Sequence, residues 1–354
     1  MKIVTVNASK SYDIIIEQGI LQRTGQQVAK RFSRCTVALV TDDIVDSLYA
    51  EVVGKALTAA GFTVCKFVFK HGESSKNINV LSQVLEFLAQ QPLTRSDLVV
   101  ALGGGVTGDL AGFAASVYLR GIGFLQIPTT FLAAIDSSVG GKTGIDLVAG
   151  KNLAGTFYQP SLVLCDPAVF ATLPDKVYAD GVAEAIKYGV LAAPELFDQL
   201  AAGKVQQNMV NIITKCVTIK RDLVMRDEYD HGDRQLLNFG HTIGHAVERC
   251  SGYAITHGQA VAMGMKTIST AAWRLGLSEE DCSQPITAAL LANNLPLTVP
   301  FSAKELAEAA LLDKKRRGDT ITLVIPKRIG HCLLHKIPVT ALEDFIKQGI
   351  GEGA

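Results

Sequence analysis

Leu98-Val-Val-Ala-Leu102 runs without a break into Gly103-Gly104-Gly105-Val106-Thr107-Gly108-Asp109. A short, wholly apolar run of this kind reads as a strand buried on both faces, and the glycines stop it and open a helical pattern. Burial on both faces belongs to parallel sheets covered by crossover helices. Glycines at such a strand-to-helix turn let the backbone approach a pyrophosphate, and the helix N-terminus offers it N–H groups. The competing reading is a tight turn that needs positive φ at its glycines. The spacing is not G-x-G-x-x-G, so the turn points to a nucleotide without saying which one.

Outward from this stretch the same pattern repeats. Residues 35–41 (CTVALVT) form a β-branched run ending at Asp42-Asp43, 62–69 form another, and 123–128 stop at Thr129-Thr130. Residues 2–6 and 12–17 read as a hairpin, and 78–89 as a helix between strands. After 162–166, Pro167 and Pro174 punctuate the chain and its character changes. From Lys176 to about Ala310 nearly everything reads as helix, before a strand pair at 320–325 and 332–337 and a last helix. The expected architecture is an α/β nucleotide-binding domain over 1–170 and a mostly α-helical metal- and substrate-binding domain over 171–354.

Lys plus Arg equals Asp plus Glu at 34 each in 354 residues. That balance gives no global attraction to nucleic acid or a membrane surface, so anion affinity must come from a local cluster of cations. Seven scattered cysteines without a C-x-x-C pair suit a reduced, cytoplasmic protein. The N-terminus lacks a signal-peptide pattern, and charged residues, Gly or Pro interrupt every long apolar run.

Asn238-Phe-Gly-His241-Thr-Ile-Gly-His245 is the sharpest segment of the helical half. On a helix, 238, 241 and 245 share a face. Histidines four apart are a familiar metal spacing because their rings converge. His257 follows, and Glu184 lies three residues ahead of Lys187. A carboxylate with neutral imidazoles suits a divalent ion such as zinc with one position open to substrate. A lone histidine would more often be a satisfied core residue, but here three crowd a short stretch. Spacing does not say which two ligate; the i, i+4 rule alone takes His241 and His245.

Several cations sit beside glycines: Lys142 in GGKTG, Lys151-Asn152 after Gly150, and Arg120 before Gly121. Lys220, Arg234 and the basic run 314–317 lie in the helical half. Each alone is an ordinary solvated charge. GGKT lacks the spacing and the preceding strand of a phosphate loop, which excludes a nucleotide triphosphatase of that type. Glu73 and Lys76 in GESSK read in isolation as an exposed helix-start pair.

Together, GESSK, GGGVTGDLAGF, SSVGGKTGID, GKNLAGTF, GVAEAIKYG, NFGHTIGHAVE, THGQAVAMGM and LLDKK resemble the 3-dehydroquinate synthases, of the sugar-phosphate cyclase superfamily, from about residue 35 to 320. The resemblance implies a dehydroquinate synthase-like fold, NAD as cofactor and a homodimer. It implies a lyase of the shikimate pathway of aromatic amino acid biosynthesis, acting on a small phosphorylated sugar acid. The implied reaction turns 3-deoxy-D-arabino-heptulosonate 7-phosphate into 3-dehydroquinate and phosphate. Its implied course is transient oxidation by NAD, phosphate β-elimination, re-reduction, ring opening and intramolecular aldol closure.

The resemblance also implies roles for residues. Glu184, His241 and His257 would hold a divalent metal, zinc or alternatively cobalt, and His245 would face the substrate in proton transfer. Asp42, Glu73, Lys76, Gly104, Gly105, Asp109, Thr129, Thr130 and Thr172 would line NAD. Asp136, Lys142, Lys151, Asn152, Lys187, Lys220, Arg234, Asn238 and Lys315 would hold the substrate, with Lys142, Asn152, Lys187, Lys220 and Arg234 also serving catalysis. Arg120 would reach the partner subunit's phosphate site. Competing readings are a glycerol dehydrogenase-type enzyme, a sister cyclase for a sugar phosphate lacking the carboxylate, and a nucleotide-binding regulator without activity.

Overall fold

The structure of the protein, a computed structural model, describes residues 1–313 and 319–351. It contains two compact units, one formed by Met1–Leu173 with Lys220–Tyr229 and the other by Pro174–Ile219 with the described residues from Asp230 on.

The strands of the first unit are β1 (Lys2–Asn7), β2 (Ser11–Ile16), β3 (Thr36–Asp42), β4 (Thr63–Phe69), β5 (Leu98–Gly103), β6 (Gly123–Pro128), β7 (Lys142–Leu147), β8 (Gly150–Phe157) and β9 (Leu162–Cys165). Seven form one sheet in the order β1-β2-β9-β6-β5-β3-β4. Only the β1–β2 hairpin is antiparallel within it; the other neighbours run parallel. All six residues of β5 are buried, as its unbroken apolar run requires. Val40, Val99, Leu110, Ala114 and Phe124 share the core beneath.

Chain order and strand order together locate the ligand edge. From β3 the chain steps outward to β4, returns to the other side of β3 as β5, and continues away to β6. The reversal lies between β3 and β5, where Thr41 pairs with Leu102. Asp42 and Gly103 therefore leave neighbouring strands at their carboxyl ends, where open α/β sheets form ligand crevices. Gly103 in turn pairs with Pro128, which brings Thr129 to the same edge.

The sequence pattern misses the β7–β8 hairpin. Gly144 and Gly155 face each other across it. A Cβ on Gly155 would stand 2.1 Å from the Thr143 carbonyl oxygen. The glycines that this close pairing demands are the same ones that make the segment read as loop.

Residues 220–229 join the first unit although their sequence continues the helix Met209–Arg226. Lys220 gives its ammonium to the Asp136 carbonyl at 2.7 Å and to the Asp136 carboxylate. Glu228 accepts hydrogen bonds from Ser9 N at 2.8 Å, Ser9 Oγ at 2.5 Å and Gln159 Nε2 at 2.8 Å. A single boundary near 170 cannot anticipate this, because helical periodicity reports a helix and not the core it joins.

The second unit is helical, with one hairpin of β10 (Thr320–Arg328) and β11 (His331–Pro338). Its helices Asp175–Ala192 and His241–Cys250 both pack on His257–Arg274. Glycine sets how closely they do so. A Cβ on Gly264 would fall 2.0 Å from the Gly240 carbonyl oxygen, and one on Gly258 would fall 2.2 Å from Asp180 Cα. Among the described residues, no helix is long and apolar enough to cross a membrane.

Candidate active site

At the tri-glycine turn, none of Gly103, Gly104 and Gly105 has positive φ. The need for left-handed backbone is therefore not why glycine stands there; space is. A Cβ on Gly103 would meet Thr107 Oγ1 at 2.3 Å, and one on Gly104 would meet Thr130 Cγ2 at 3.0 Å. Gly104 occupies the N-cap of the helix Gly105–Val117 and brings no side chain to cap it. The first N–H groups of that helix, with their partial positive charge, are thereby suited to an anion.

The neighbouring residues follow from the strand ends. Asp42 Oδ1 accepts from Ile44 N at 3.1 Å and Val45 N at 3.0 Å, which leaves its other oxygen outside the cap. Thr130 caps the helix Phe131–Ile135 through Ala133 N at 3.1 Å. Thr129 Oγ1 is buried with no hydrogen-bond partner among the described residues. Thr172 Oγ1 donates to the Val169 carbonyl at 3.0 Å and lies 2.6 Å from Tyr49 Oη.

Lys76 is not the exposed charge that GESSK alone suggests. It is 5 % exposed and holds Asp109 Oδ2 at 2.6 Å and Asn152 Oδ1 at 2.5 Å. Its carbonyl accepts from Asp146 N at 2.8 Å. Burial works against the ammonium, but Asp109 and Glu73 outweigh it and raise the Lys76 pKa. Burial pushes the Asp109 carboxyl up, against the pull of Lys76. Glu73 remains exposed, 3.8 Å from Lys151.

Within the same unit lies a cavity of about 500 Å³ whose lining includes Asp109, Asp136, Lys142, Asn152, Thr156 and Lys220. Its size suits a small ligand. It gathers four residues expected to hold substrate, together with Asp109, which was expected at NAD. Arg120 is exposed, just past the helix Gly105–Val117, with Leu119 and Arg120 at φ 50° and 67°.

In the second unit, Glu184 and Lys187 form an ion pair on the helix Asp175–Ala192, each side chain 1 % exposed. Glu184 Oε1 lies 3.3 Å from His241 Nε2 and 3.4 Å from His257 Nε2, and neither contact satisfies the carboxylate as a hydrogen bond. The far sides of the rings explain why. His241 Nδ1 faces the Phe239 carbonyl at 3.1 Å, and His257 Nδ1 faces Glu248 Oε2 at 3.2 Å. Both partners are acceptors, so each Nδ1 carries the hydrogen, and in a neutral ring the Nε2 lone pair points at Glu184. With both rings neutral, three lone-pair donors converge, an arrangement that a cation satisfies by displacing the hydrogen that a charged His257 carries on Nε2.

Charge follows the same geometry. Burial pushes His241 down to about 4 despite the nearby Glu184. Burial also opposes charge on His257, but the Glu184 and Glu248 carboxylates prevail and push it up to about 10. Burial would raise Glu184, yet Lys187 and His241 hold it well below the usual carboxylate range.

Glu184, His241 and His257 form one group with ligand atoms within 4.8 Å of each other; His245, Glu248 and His257 form a second. His241 and His245 fall in different groups, so the i, i+4 pair does not by itself gather with Glu184. The His245 ring centroid is 5.5 Å from that of His241 and 6.1 Å from that of His257. Arg234, 2 % exposed, and Asn238 share the turn Asp233–Asn238 ahead of this helix. Lys315 lies outside the described residues.

Sequence reasoning gave no role to Glu248 or Asp180. Asp180 Oδ1 accepts from Thr256 Oγ1 at 2.6 Å and Gly258 N at 2.9 Å, which ties down the turn that carries His257. Glu248 had a usable signal: 241, 245 and 248 follow the i, i+4, i+7 spacing of one helix face. Asp180 had none, since its partners are distant in the chain.

Comparison with known proteins bears on the family and the fold. Residues 66–180 match the family model described as 3-dehydroquinate synthase N-terminal, and 181–316 match the one described as 3-dehydroquinate synthase C-terminal. The 3-dehydroquinate synthase of Clostridium acetobutylicum is 45 % identical over 333 residues, covering 92 % of this chain and 94 % of its own. That of Streptococcus suis is 44 % identical over 352 residues, covering 97 % and 99 %. Among solved structures, ValA, the 2-epi-5-epi-valiolone synthase from Streptomyces hygroscopicus subsp. jinggangensis with NAD⁺ and Zn²⁺ bound, superposes with a TM-score of 0.88. It is 27 % identical, with 99 % of each chain covered. The fold is dehydroquinate synthase-like, an α/β unit with a helical one. Within that class the chain belongs to the 3-dehydroquinate synthase family.

Proposed function

We propose that this chain is a lyase converting 3-deoxy-D-arabino-heptulosonate 7-phosphate to 3-dehydroquinate and phosphate, with NAD and a divalent cation, zinc or cobalt, as cofactors. The observation that carries the reading is the convergence of Glu184 Oε1 with the Nε2 atoms of His241 and His257. Their donor set of one carboxylate and two neutral imidazoles fits zinc. The tri-glycine turn fits a dinucleotide, since it excludes side chains where a helix N-terminus begins. When bound, the cation supplies Lewis acidity, and NAD supplies reversible hydride acceptance.

The chain's own residues do the rest. Asp42 accepts ribose hydroxyls, and Gly104, Gly105, Thr129 and Thr130 accommodate the dinucleotide; Glu73, Lys76, Asp109 and Thr172 border it. Lys142, Lys151, Asn152, Lys220 and Asp136 are the substrate-binding groups of the first unit, and the second carries Lys187, Arg234 and Asn238, groups of the same kind. A phosphate dianion and a carboxylate on one substrate call for several such cations, each charge-assisted contact being worth roughly 1.5–3 kcal/mol. His245 faces the substrate and acts in proton transfer. Lys187 also offsets the charge of Glu184. The protein works as a cytoplasmic homodimer in which Arg120 reaches the phosphate of the partner subunit's substrate.

This reading prefers the carboxylate-bearing substrate over a plain sugar phosphate. Identity to the 3-dehydroquinate synthases is 42–45 %, against 27 % to the valiolone synthase. The test is phosphate release from the heptulosonate phosphate with NAD in catalytic amount, with and without a chelator. Metal-dependent release without net NADH formation is expected. Stoichiometric NADH would overturn the reading in favour of a simple dehydrogenase.

A further inference from the structure

Glu248 is a buried carboxylate on the helix His241–Cys250, one turn beyond His245. Its side chain is 9 % exposed, and Oε2 lies 3.2 Å from His257 Nδ1. Nothing in the reaction uses it directly. Two features make it more than a satisfied core acid. A carboxylate is costly to bury without compensation, and here part of the compensation comes from His257, whose other nitrogen meets Glu184. Further, an ionised carboxylate only accepts, so it fixes the hydrogen on Nδ1 and turns the Nε2 lone pair toward the metal-type group.

We propose that Glu248 is a positioning residue for the metal centre: its negative charge holds the His257 ring in one tautomer and orientation and increases the donor strength of Nε2. The claim rests on the metal centre proposed above. Carboxylate–histidine support of this kind typically matters by 10–100-fold in metal affinity. A rival arrangement is visible in the same residues, because His245, Glu248 and His257 also lie within mutual ligand distance. In that arrangement Glu248 would itself bind the ion. The two uses of Glu248 exclude each other at His257 Nδ1, which cannot both donate to the carboxylate and bind an ion shared with it.

The experiment measures Zn²⁺ and Co²⁺ affinity of the full-length protein by chelator competition, together with the visible spectrum of the Co²⁺ form and the melting temperature of the metal-free form. Parent, Glu248→Gln, Glu248→Ala and Glu184→Ala are compared. Glu248→Gln keeps the shape and loses the charge; about tenfold weaker binding is expected, and the melting temperature of the metal-free protein shows that the variant is folded when its affinity is read. Glu248→Ala is expected to weaken binding by up to about a hundredfold and to shift the Co²⁺ spectrum while one ion still binds. Should the alanine variant not fold, the glutamine variant decides alone. Parent-like affinity in Glu248→Gln would overturn the inference while leaving the metal centre standing. Complete loss of binding in Glu248→Gln, matching Glu184→Ala, would overturn it in favour of direct ligation. A parent protein that binds neither ion would overturn the metal centre and this inference together.

Discussion

The two units carry their chemistry in opposite ways. In the first, the groups suited to ligands sit where strands end: Asp42, the tri-glycine turn and Thr129–Thr130 lie along the carboxyl edge, while the packed apolar strands are behind them. In the second, the chemical groups are the core. Glu184, Lys187 and Arg234 are almost wholly inaccessible, and the helices that carry the imidazoles meet at glycines with no room for a methyl group. Stability and ligand binding are therefore separable in the sheet unit and fused in the helical one. Substitutions can be chosen to break that contrast.

The largest effect belongs to Glu184→Ala. Removing one partner of a buried ion pair costs about 3–5 kcal/mol. Denaturant unfolding should register that loss, and metal analysis should register the absence of bound ion. If stability holds while the metal is lost, the helical unit is not fused in this sense. Next comes Gly264→Ala, whose methyl group would stand 2.0 Å from a backbone oxygen that no rotamer change can move. Overpacking of this kind costs about 3 kcal/mol at the upper end of its usual range. Melting temperature and metal affinity should fall together, because the contact that is pried open is the one that sets His241 against His257. A fall in either alone would separate what the packing joins.

The same contrast decides what the sequence made legible. Parallel strands buried on both faces announce themselves as unbroken apolar runs, so β3, β5 and β6 were readable and their ends pointed to the ligand edge. The β7–β8 hairpin was not, since Gly144 and Gly155 erase the alternation by which strands are found. The histidine motif signalled a metal, but its one-dimensional spacing favoured His241 with His245. Which rings meet Glu184 depends on how closely two helices approach, and that distance is set by Gly240 and Gly264, whose pairing no local pattern encodes. Similarly, Lys76 read as a solvated charge because its partners Asp109, Asp146 and Asn152 lie far along the chain.

Lys142→Ala tests the sheet unit from the functional side. The side chain is exposed and lines the cavity at the start of β7. Losing one charge-assisted contact to the substrate is worth about 1.5–3 kcal/mol, or roughly a tenfold to hundredfold rise in KM. The unfolding midpoint should not move. A lowered midpoint with parent-like kinetics would reverse the assignment. Arg234→Ala offers no such clean test, since Arg234 is 2 % exposed and its truncation disturbs the fold as well.

The smallest effect comes from the opposite end of the same strands. Asp97 precedes β5 and accepts from Thr36 N at 2.7 Å, where β3 begins, and from Thr94 N at 2.6 Å and Thr94 Oγ1 at 2.8 Å. Burial would raise its pKa, but these hydrogen bonds outweigh burial and lower it. A carboxyl whose folded pKa lies below its unfolded value stabilises the protein fully above the unfolded value, near 3.9, and loses that contribution as pH falls through the folded one. Asp97→Asn should therefore cost about 1 kcal/mol at neutral pH and flatten the acid limb of the stability profile below about pH 4. NAD affinity should not change, because the amino ends of β3 and β5 lie a full strand length from Asp42 and Gly103. An NAD affinity that falls with the stability would mean that the two ends of the sheet are coupled, and the separation drawn between scaffold and ligand edge would fail.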